Sequence, residues 1–420
     1  MARLFYSLLL ALLSPVIFIY LYGVRGKKNA GYRQHFLERF GFCNTHLPKQ
    51  AVLFHCASVG EVLAATPLIK AFRKKYPDEA VIVSCNTPTG RKQIQQSLGD
   101  DIALCYLPID FYFASKRFIK RLKPKLLLVL ETELWPNLFS HAKNNDCHVQ
   151  IINARLSEKS FQGYKKVAAL SKTIMANIDV LASHNKQDAQ RFIALGLAQS
   201  KVTVTGSIKF DIQLSLEERA SAAKLKAQFK GRPVWVAGST HPTEHEQVLS
   251  AHQQVLRAHA NALLIIAPRH PEQFSRVDEL LADSPLTHCC RSTSFDDNCQ
   301  VLLADTLGEL KMLFGSGDVA YIGGSLIERG GHNPLEAAAY SVPILTGAHT
   351  YNFAHVYPEL ISQGGAQVVK NSTELSESVI ELFNDAHKRE LQGQQALDCL
   401  ARNQGAIDKT LALISQHLQR

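Results

Sequence analysis

Hydrophobic residues along this chain recur in short unbroken runs, separated by longer stretches of helical period. Val52 to Cys56, Ala80 to Ser84, Ile102 to Tyr106, Leu126 to Leu130, Val149 to Asn153, Val180 to Ala182 and Val202 to Thr205 read as strands, because they are apolar, often β-branched and too short for helices. Between them, Glu61 to Tyr76 and Leu134 to Asn144 carry helical spacing. Such alternation means parallel strands joined by crossover helices, and continuous apolar runs mean that both sheet faces are covered. A charged, Ala/Lys-rich break at 211–232 predicts a linker with a short helix. The alternation then resumes at Val234 to Ala237, Leu263 to Ala267, Gln300 to Leu303, Val319 to Ile322, Pro343 to Leu345 and Gln367 to Val369, and 401–420 reads as a terminal helix. The expected fold class is therefore α/β, with two Rossmann-like, doubly wound domains at 25–210 and 233–400. In such sheets ligands sit at the carboxyl ends of the strands, here in a cleft between the domains.

The amino terminus breaks this pattern. From Leu4 to Val24 no residue is charged, and Arg25, Lys27 and Lys28 follow at once. That run, with Pro15 inside it, predicts a membrane anchor over 1–24, with the rest of the chain on the cytoplasmic side by the positive-inside rule. No small-residue cleavage site follows, which disfavours a signal peptide. Tyr32, Phe36 and Phe40 at four-residue spacing, with Arg33, His35 and Arg39 on other faces, suggest a further amphipathic helix suited to anionic headgroups.

Composition changes the picture in two respects. The 420 residues are 46% hydrophobic and 20% charged with a net charge of +9, which indicates an anionic partner without choosing among nucleic acid, phospholipid and small acids. Nine scattered cysteines, an odd number without a Cys-x-x-Cys pair, fit buried reduced thiols and support neither a zinc ribbon nor a thioredoxin-type site.

The unusual residues lie at strand ends. The first strand runs into Ser58, Gly60 and Glu61, with Gly60 allowing a tight turn. Glu61 enters a helix whose field should lower its pKa. The fourth strand ends in Glu131 and Glu133, carboxylates that are costly there unless paired or useful. In the second half, the amides of Gly238, Ser239 and Thr240, ahead of Pro242 as a first helical residue, suit phosphate, and the next strand ends in Arg269 and His270, placing a fixed cation at the same rim. Gly323 and Gly324, then Gly330 and Gly331, allow close approach of a phosphate, with Asn333 as N-cap and Glu336 as the return arm of a capping box or a ribose partner. No Walker A or G-x-G-x-x-G sequence occurs. His241 to His245 spells H-x-x-E-H, but a helix opened by Pro242 leaves His241 outside it, so a zinc peptidase is disfavoured.

These loops together resemble the 3-deoxy-D-manno-octulosonic acid (Kdo) transferases, membrane-associated glycosyltransferases of lipopolysaccharide biosynthesis. The likeness covers almost the whole chain. It rests on the apolar amino terminus, Ser58-Val59-Gly60-Glu61, Glu131 to Pro136, Asn153-Ala154-Arg155, Gly206 to Asp211, Ala267 to Pro271 and Gly330 to Glu336. The resemblance implies a GT-B fold, the lipid A precursor (lipid IVA) on the amino-terminal domain, CMP-Kdo on the carboxyl-terminal one, and inversion at the anomeric carbon. It implies no metal and no cofactor, no nucleic-acid partner, and a place on an anionic membrane surface, the cytoplasmic face of the inner membrane. Glu61 matches the family's catalytic base and Glu131 its second active-site acid. Ser239, Thr240, Arg269, His270, Gly323, Gly324, Gly331, Asn333 and Glu336 fall in the donor-binding region, with Ser58, Gly60 and Lys209 as further candidates. Ser207 stands where many members carry Asn. The nearest alternative is another membrane-associated GT-B sugar transferase.

Overall fold

The computed structural model describes residues 1–44, 46–293 and 295–418. The chain divides into two compact units, Met1–Asp211 together with the segment from Gln404, and Ile212–Asn403.

The first unit holds strands β1 (Val52–His55), β2 (Val81–Cys85), β3 (Ala103–Tyr106), β4 (Leu126–Leu130), β5 (His148–Ala154), β6 (Val180–Ser183) and β7 (Val202–Val204). They form one parallel sheet in the order β3-β2-β1-β4-β5-β6-β7. Alternate residues feed two cores, one on each face: Leu53, Leu127 and Val129 pack on one side, Val52, Phe54, Leu126 and Leu128 on the other. The continuous apolar runs in the sequence follow from this two-sided burial. The order reverses between β1 and β4, so the loops leaving those two strands diverge and open a crevice at their carboxyl ends.

The second unit repeats the plan with β8 (Val234–Thr240), β9 (Leu263–Pro268), β10 (His288–Cys290), β11 (Val301–Leu303), β12 (Val319–Ile322), β13 (Ile344–Thr346) and β14 (Ala366–Val368). Their order is β10-β11-β9-β8-β12-β13-β14, reversing between β8 and β12. Trp235, Ala237, Leu264, Ile266, Val319 and Tyr321 lie in a core on one face of this sheet. Strand β10 has no apolar run to announce it: it is three half-buried residues, His-Cys-Cys, at the sheet edge.

Three segments depart from the sequence reading. The expected linker contains helix Leu216–Gln228, which starts at a Ser215/Glu218 capping box and belongs to the second unit, where Lys311 pairs with Glu218. The terminal helix, Ala406–Leu418, joins the first unit: Asp211 accepts the Gly405 and Ile407 amides, and Ala406, Leu411 and Ile414 enter that core. Residues 32–42 are two short 3-10 turns, Ala30–Arg33 and Phe36–Phe40, not one helix, because His35 and Gly41 take left-handed backbone at φ 51° and 80°.

The anchor is likewise not one helix. Among the described residues no single helix is long and apolar enough to cross a membrane; Ala2–Leu12 and Ser14–Lys28 pass that test only as a pair bent by 56°. Pro15 stands in the first turn after the bend, where its ring suits a helix start but not a helix interior.

Gly323, at the end of β12, approaches β8 so closely that a Cβ there would lie 2.5 Å from the Ser239 carbonyl oxygen. Backbone cannot rotate aside as a side chain can. Gly323→Ala should therefore cost about 1–3 kcal/mol and lower the thermal midpoint by roughly 2–10 °C. Gly163→Ala, with open space around its Cβ, should leave the midpoint unchanged or slightly raised. Differential scanning fluorimetry of the two variants checks this.

Candidate active site

The first crevice is built by the loops after β1 and β4. Past His55 the chain turns through Cys56 and Ala57 to Ser58, whose hydroxyl oxygen caps helix Val59–Lys75 by accepting the Glu61 amide at 3.3 Å. The Glu61 side chain folds back, its carboxylate accepting the Ala57 amide at 2.8 Å and the Ser58 hydroxyl at 3.0 Å. Gly60 is an exposed helical residue, so the turn owes nothing to it.

Burial drives the Glu61 pKa up, to about 7; the hydrogen bonds from Ala57 and Ser58 oppose the rise, and the charges of Glu131 and Glu133 add to it. The helix field at its amino terminus favours the ionised form, yet desolvation and two like charges outweigh it. The sequence expectation of a lowered pKa is thus reversed. A carboxylate poised near neutrality is a better proton acceptor than an ordinary one.

Glu131 leaves β4 with a left-handed φ of 55°, a conformation that costs energy for any residue with a Cβ and is found disproportionately at functional sites. Its carboxylate pairs with Lys209 Nζ at 3.1 Å. Lys209 belongs to the turn after β7, where Asn153, also left-handed at φ 54°, accepts the Ile208 amide at 3.0 Å. Ser207 keeps a polar contact there by accepting the Lys209 amide at 3.4 Å. Glu133 lies 3.9 Å from Nε2 of the buried His55, whose Nδ1 contacts the Ser84 hydroxyl at 3.0 Å. Glu61, Glu131, Glu133, Lys209 and His55 are therefore brought together.

In the second unit the loops after β8 and β12 meet. Ser239 adopts a left-handed φ of 58°, and the Gly323 amide donates to the Gly238 carbonyl at 2.8 Å. Two glycine segments are joined by backbone bonds, Gly331 N–H to Gly324 O at 2.8 Å and His332 N–H to Gly323 O at 3.2 Å. Left-handed backbone at Gly324, Gly330 and Gly331 makes that path available. The helix is Leu335–Ala339 with Pro334, not Asn333, at its N-cap; Asn333 instead accepts the Leu335 amide at 3.1 Å from one residue further back. Glu336 does not act as the return arm of a capping box: its carboxyl partners the Asn333 side chain, and burial raises its pKa.

Glu244 is the organiser that sequence reasoning missed. Its carboxylate, fully buried, accepts the Tyr321 hydroxyl at 2.6 Å and the amides of Gly324, Ser325, Leu326 and His241 at 2.7, 3.1, 3.1 and 3.2 Å. The H-x-x-E-H pattern is accordingly a loop clamp. Pro242 sits in a turn, the helix is His245–Ala258, and His241 turns instead to His332, Nε2 to Nε2 at 2.8 Å. Burial, and after it the nearby His270 and the guanidinium groups of Arg269 and, for His241, Arg329, hold these rings well below the usual histidine pKa, at about 4 for His241 and about 3 for His332. Both are neutral at pH 7, one imidazole donating to the other. His270 stands edge-on to His241 at 5.6 Å. Among the described residues no group of three or more His, Cys, Asp or Glu is arranged to hold a metal. The sequence signal for His332 was its place between a glycine pair and Asn-Pro; Glu244 had none beyond the misleading motif.

The family model described as 3-deoxy-D-manno-octulosonic-acid transferase (kdotransferase) matches residues 34–212. The chain is 37% identical over 426 residues to a 3-deoxy-D-manno-octulosonic acid transferase of Haemophilus influenzae and 30% identical over 433 residues to one of Bordetella pertussis, in each case across 100% of both chains. Among solved structures it is similar to a UDP-GlcNAc 2-epimerase from Neisseria meningitidis bound to UDP-GlcNAc, with a TM-score of 0.58 and 16% identity over 88% of this chain and 99% of that one. That last likeness concerns the fold, two parallel-sheet α/β domains of GT-B-like type.

Because Glu131 contributes to the raised pKa of Glu61, Glu131→Gln should move the Glu61 titration midpoint down from about 7. The freed Lys209 ammonium acts in the same direction. Carboxyl 13C shifts of labelled glutamate followed against pH read this directly; an unmoved midpoint would remove the coupling.

Proposed function

Because the chain belongs to the Kdo transferase family, and is therefore a glycosyltransferase, we propose that it moves Kdo from CMP-Kdo to a glucosamine hydroxyl of the lipid A precursor lipid IVA, with inversion, in lipopolysaccharide biosynthesis. Glu61 is the general base. As the acceptor oxygen attacks the anomeric carbon, its proton passes to the Glu61 carboxylate. The bond from that carbon to the CMP phosphate oxygen breaks, and its electron pair leaves with CMP. One displacement of this kind inverts the centre and calls on no metal or cofactor. The observation that carries the assignment is the carboxylate of Glu61, poised at about 7 at the reversal point of its sheet.

Glu131 and Lys209 form an ion pair beside this base, suited to orienting the acceptor. In the second unit Arg269, the loop amides around Ser239, Thr240, Gly323 and Gly324, and the start of the Asn333 to Glu336 segment supply the cation and the N–H groups that a departing phosphate requires. His241 and His332, being neutral, offer a hydrogen bond in place of further charge.

The reading extends to a location on the cytoplasmic face of the inner membrane. Leu4, Phe5, Leu8, Leu9 and Leu12 on helix Ala2–Leu12 are 46–77% exposed, and Arg25, Lys27 and Lys28 follow the apolar segment. Such a surface suits insertion among acyl chains below anionic headgroups.

Glu61→Gln should lower kcat by about 10²–10⁴-fold with CMP affinity unchanged, read by mass spectrometry of the lipid product and calorimetry of CMP binding. In the wild type the base must be ionised, so kcat should climb through pH 7 and level off above it. A flat profile from pH 5.5 to 8.5 argues against Glu61 as base. Arg269→Ala should instead weaken CMP binding about tenfold or more, near the worth of one charge-assisted contact; unaltered CMP affinity would count against the donor assignment.

A further inference from the structure

Helix Ala2–Leu12 is inside out. Ala2, Arg3, Tyr6, Ser7 and Leu10 are half-buried while Leu4, Phe5, Leu8, Leu9 and Leu12 are exposed, so the face turned to the protein is the more polar one. A helix that served only to hold the chain on lipid would not need to aim a hydroxyl pair inward.

Of that pair, Tyr6 bonds to a buried carboxylate, Asp110, and Ser7 bonds to Asn137, which is itself held by Asp110. Asp110 is 2% exposed. It accepts the Asn137 and Leu138 amides at 2.9 and 2.8 Å and the Ser115 hydroxyl at 2.8 Å, and the Tyr6 hydroxyl bonds to it as well. The Asn137 side chain donates to the Asp110 carbonyl at 2.8 Å and is joined to the Ser7 hydroxyl at about 3 Å. Arg3 lies over the Tyr112 ring, two residues beyond Asp110.

The two amides held by Asp110 are at the start of helix Pro136–Lys143. That helix is the far end of the loop that leaves β4 as Glu131-Thr132-Glu133-Leu134-Trp135. The near end is fixed by strained backbone at Glu131 and by the Thr132 hydroxyl bonding to the Arg155 carbonyl. The far end is fixed by Asp110, and Asp110 by the amino-terminal helix. We propose that Tyr6, Ser7, Asp110 and Asn137 form a latch through which the amino-terminal helix positions the loop carrying Glu131 and Glu133, so that this helix is part of the acceptor-side active site as well as a membrane contact. All four are positioning residues: none needs to touch substrate.

The kinetic arm of this inference rests on the Kdo-transfer reading; the structural arm does not. The test uses the full chain carrying Tyr6→Phe together with Ser7→Ala, and Leu8→Gln on the outward face as a control in the same helix. Hydrogen–deuterium exchange followed by mass spectrometry should show peptides spanning 131–140 exchanging about tenfold faster in the double variant and unchanged in the control. Turnover is then measured with lipid IVA in detergent micelles and with its deacylated, water-soluble disaccharide bisphosphate. The latch predicts that kcat falls about tenfold on both acceptors at constant donor KM. A loss confined to the micellar lipid would mean an anchoring role alone, and unchanged exchange over 131–140 would overturn the latch whatever the kinetics. Absence of Kdo transfer by the wild type, with the exchange difference present, would strike the functional reading and leave the latch standing.

Discussion

A carboxylate sealed away from water must have its lone pairs filled, and in both units of this chain that requirement shapes the loops beside the chemistry. Glu244 draws four amides and a phenol around itself, and three of those amides are the consecutive turn of Gly324, Ser325 and Leu326. Asp110 does the same with fewer donors at the start of helix Pro136–Lys143. An unsatisfied charge at either place would cost several kcal/mol, so the loop has one acceptable path. Rigidity at these crevices comes from anions buried behind them.

The same physics explains the reversed pKa of Glu61. Sequence shows a carboxylate in a first helical turn and so shows the field that ionises it. It does not show how much water is removed, nor that Glu131 and Glu133, some seventy residues on, share the crevice. Desolvation and like charge depend on tertiary structure, and here they are the larger effects. The hydrogen bonds from Ala57 and Ser58 hold the side chain in place without cancelling them.

Much of the fold was legible because burial on both faces of a parallel sheet writes itself as apolar runs. The first unit's seven strands were foreseen with no end off by more than one residue, for instance Val149 to Asn153 against His148–Ala154. Strand β10 was invisible because an edge strand of His-Cys-Cys buries too little to need apolar residues. The four-residue spacing of Tyr32, Phe36 and Phe40 gave a false helix, since a left-handed turn at His35 leaves no trace in hydrophobic periodicity. Among the candidate site residues, Glu131 and Arg269 stood out as charges at strand ends. Glu244 and Asp110 did not, for a buried acid is identified by its donors, and those come from distant backbone. The H-x-x-E-H letters even pointed to the wrong chemistry, because a motif specifies residues without specifying whether a helix turn lies beneath them.

The amino-terminal segment shows how one stretch of sequence can carry two unlike faces. An apolar run with a basic flank reads as a membrane contact, and composition alone stops there. Yet position within the run is not uniform: Arg3, Tyr6 and Ser7 recur at three- and one-residue steps on one face of helix Ala2–Leu12, and that face packs on helices Pro136–Lys143 and Ala168–Ala176. The bend before Pro15 then lets Phe18 reach Phe40 and Phe111, with ring centroids 5.3 and 6.0 Å away. The inward side of the segment is matched to what it meets, Tyr6 to the buried carboxylate of Asp110 and Ser7 to the side chain of Asn137, while the leucines lie exposed on the other side. A segment so matched cannot be moved relative to the protein without breaking bonds to Asp110 and Asn137, which mechanically joins whatever grips its outer face to the loop that begins at Glu131.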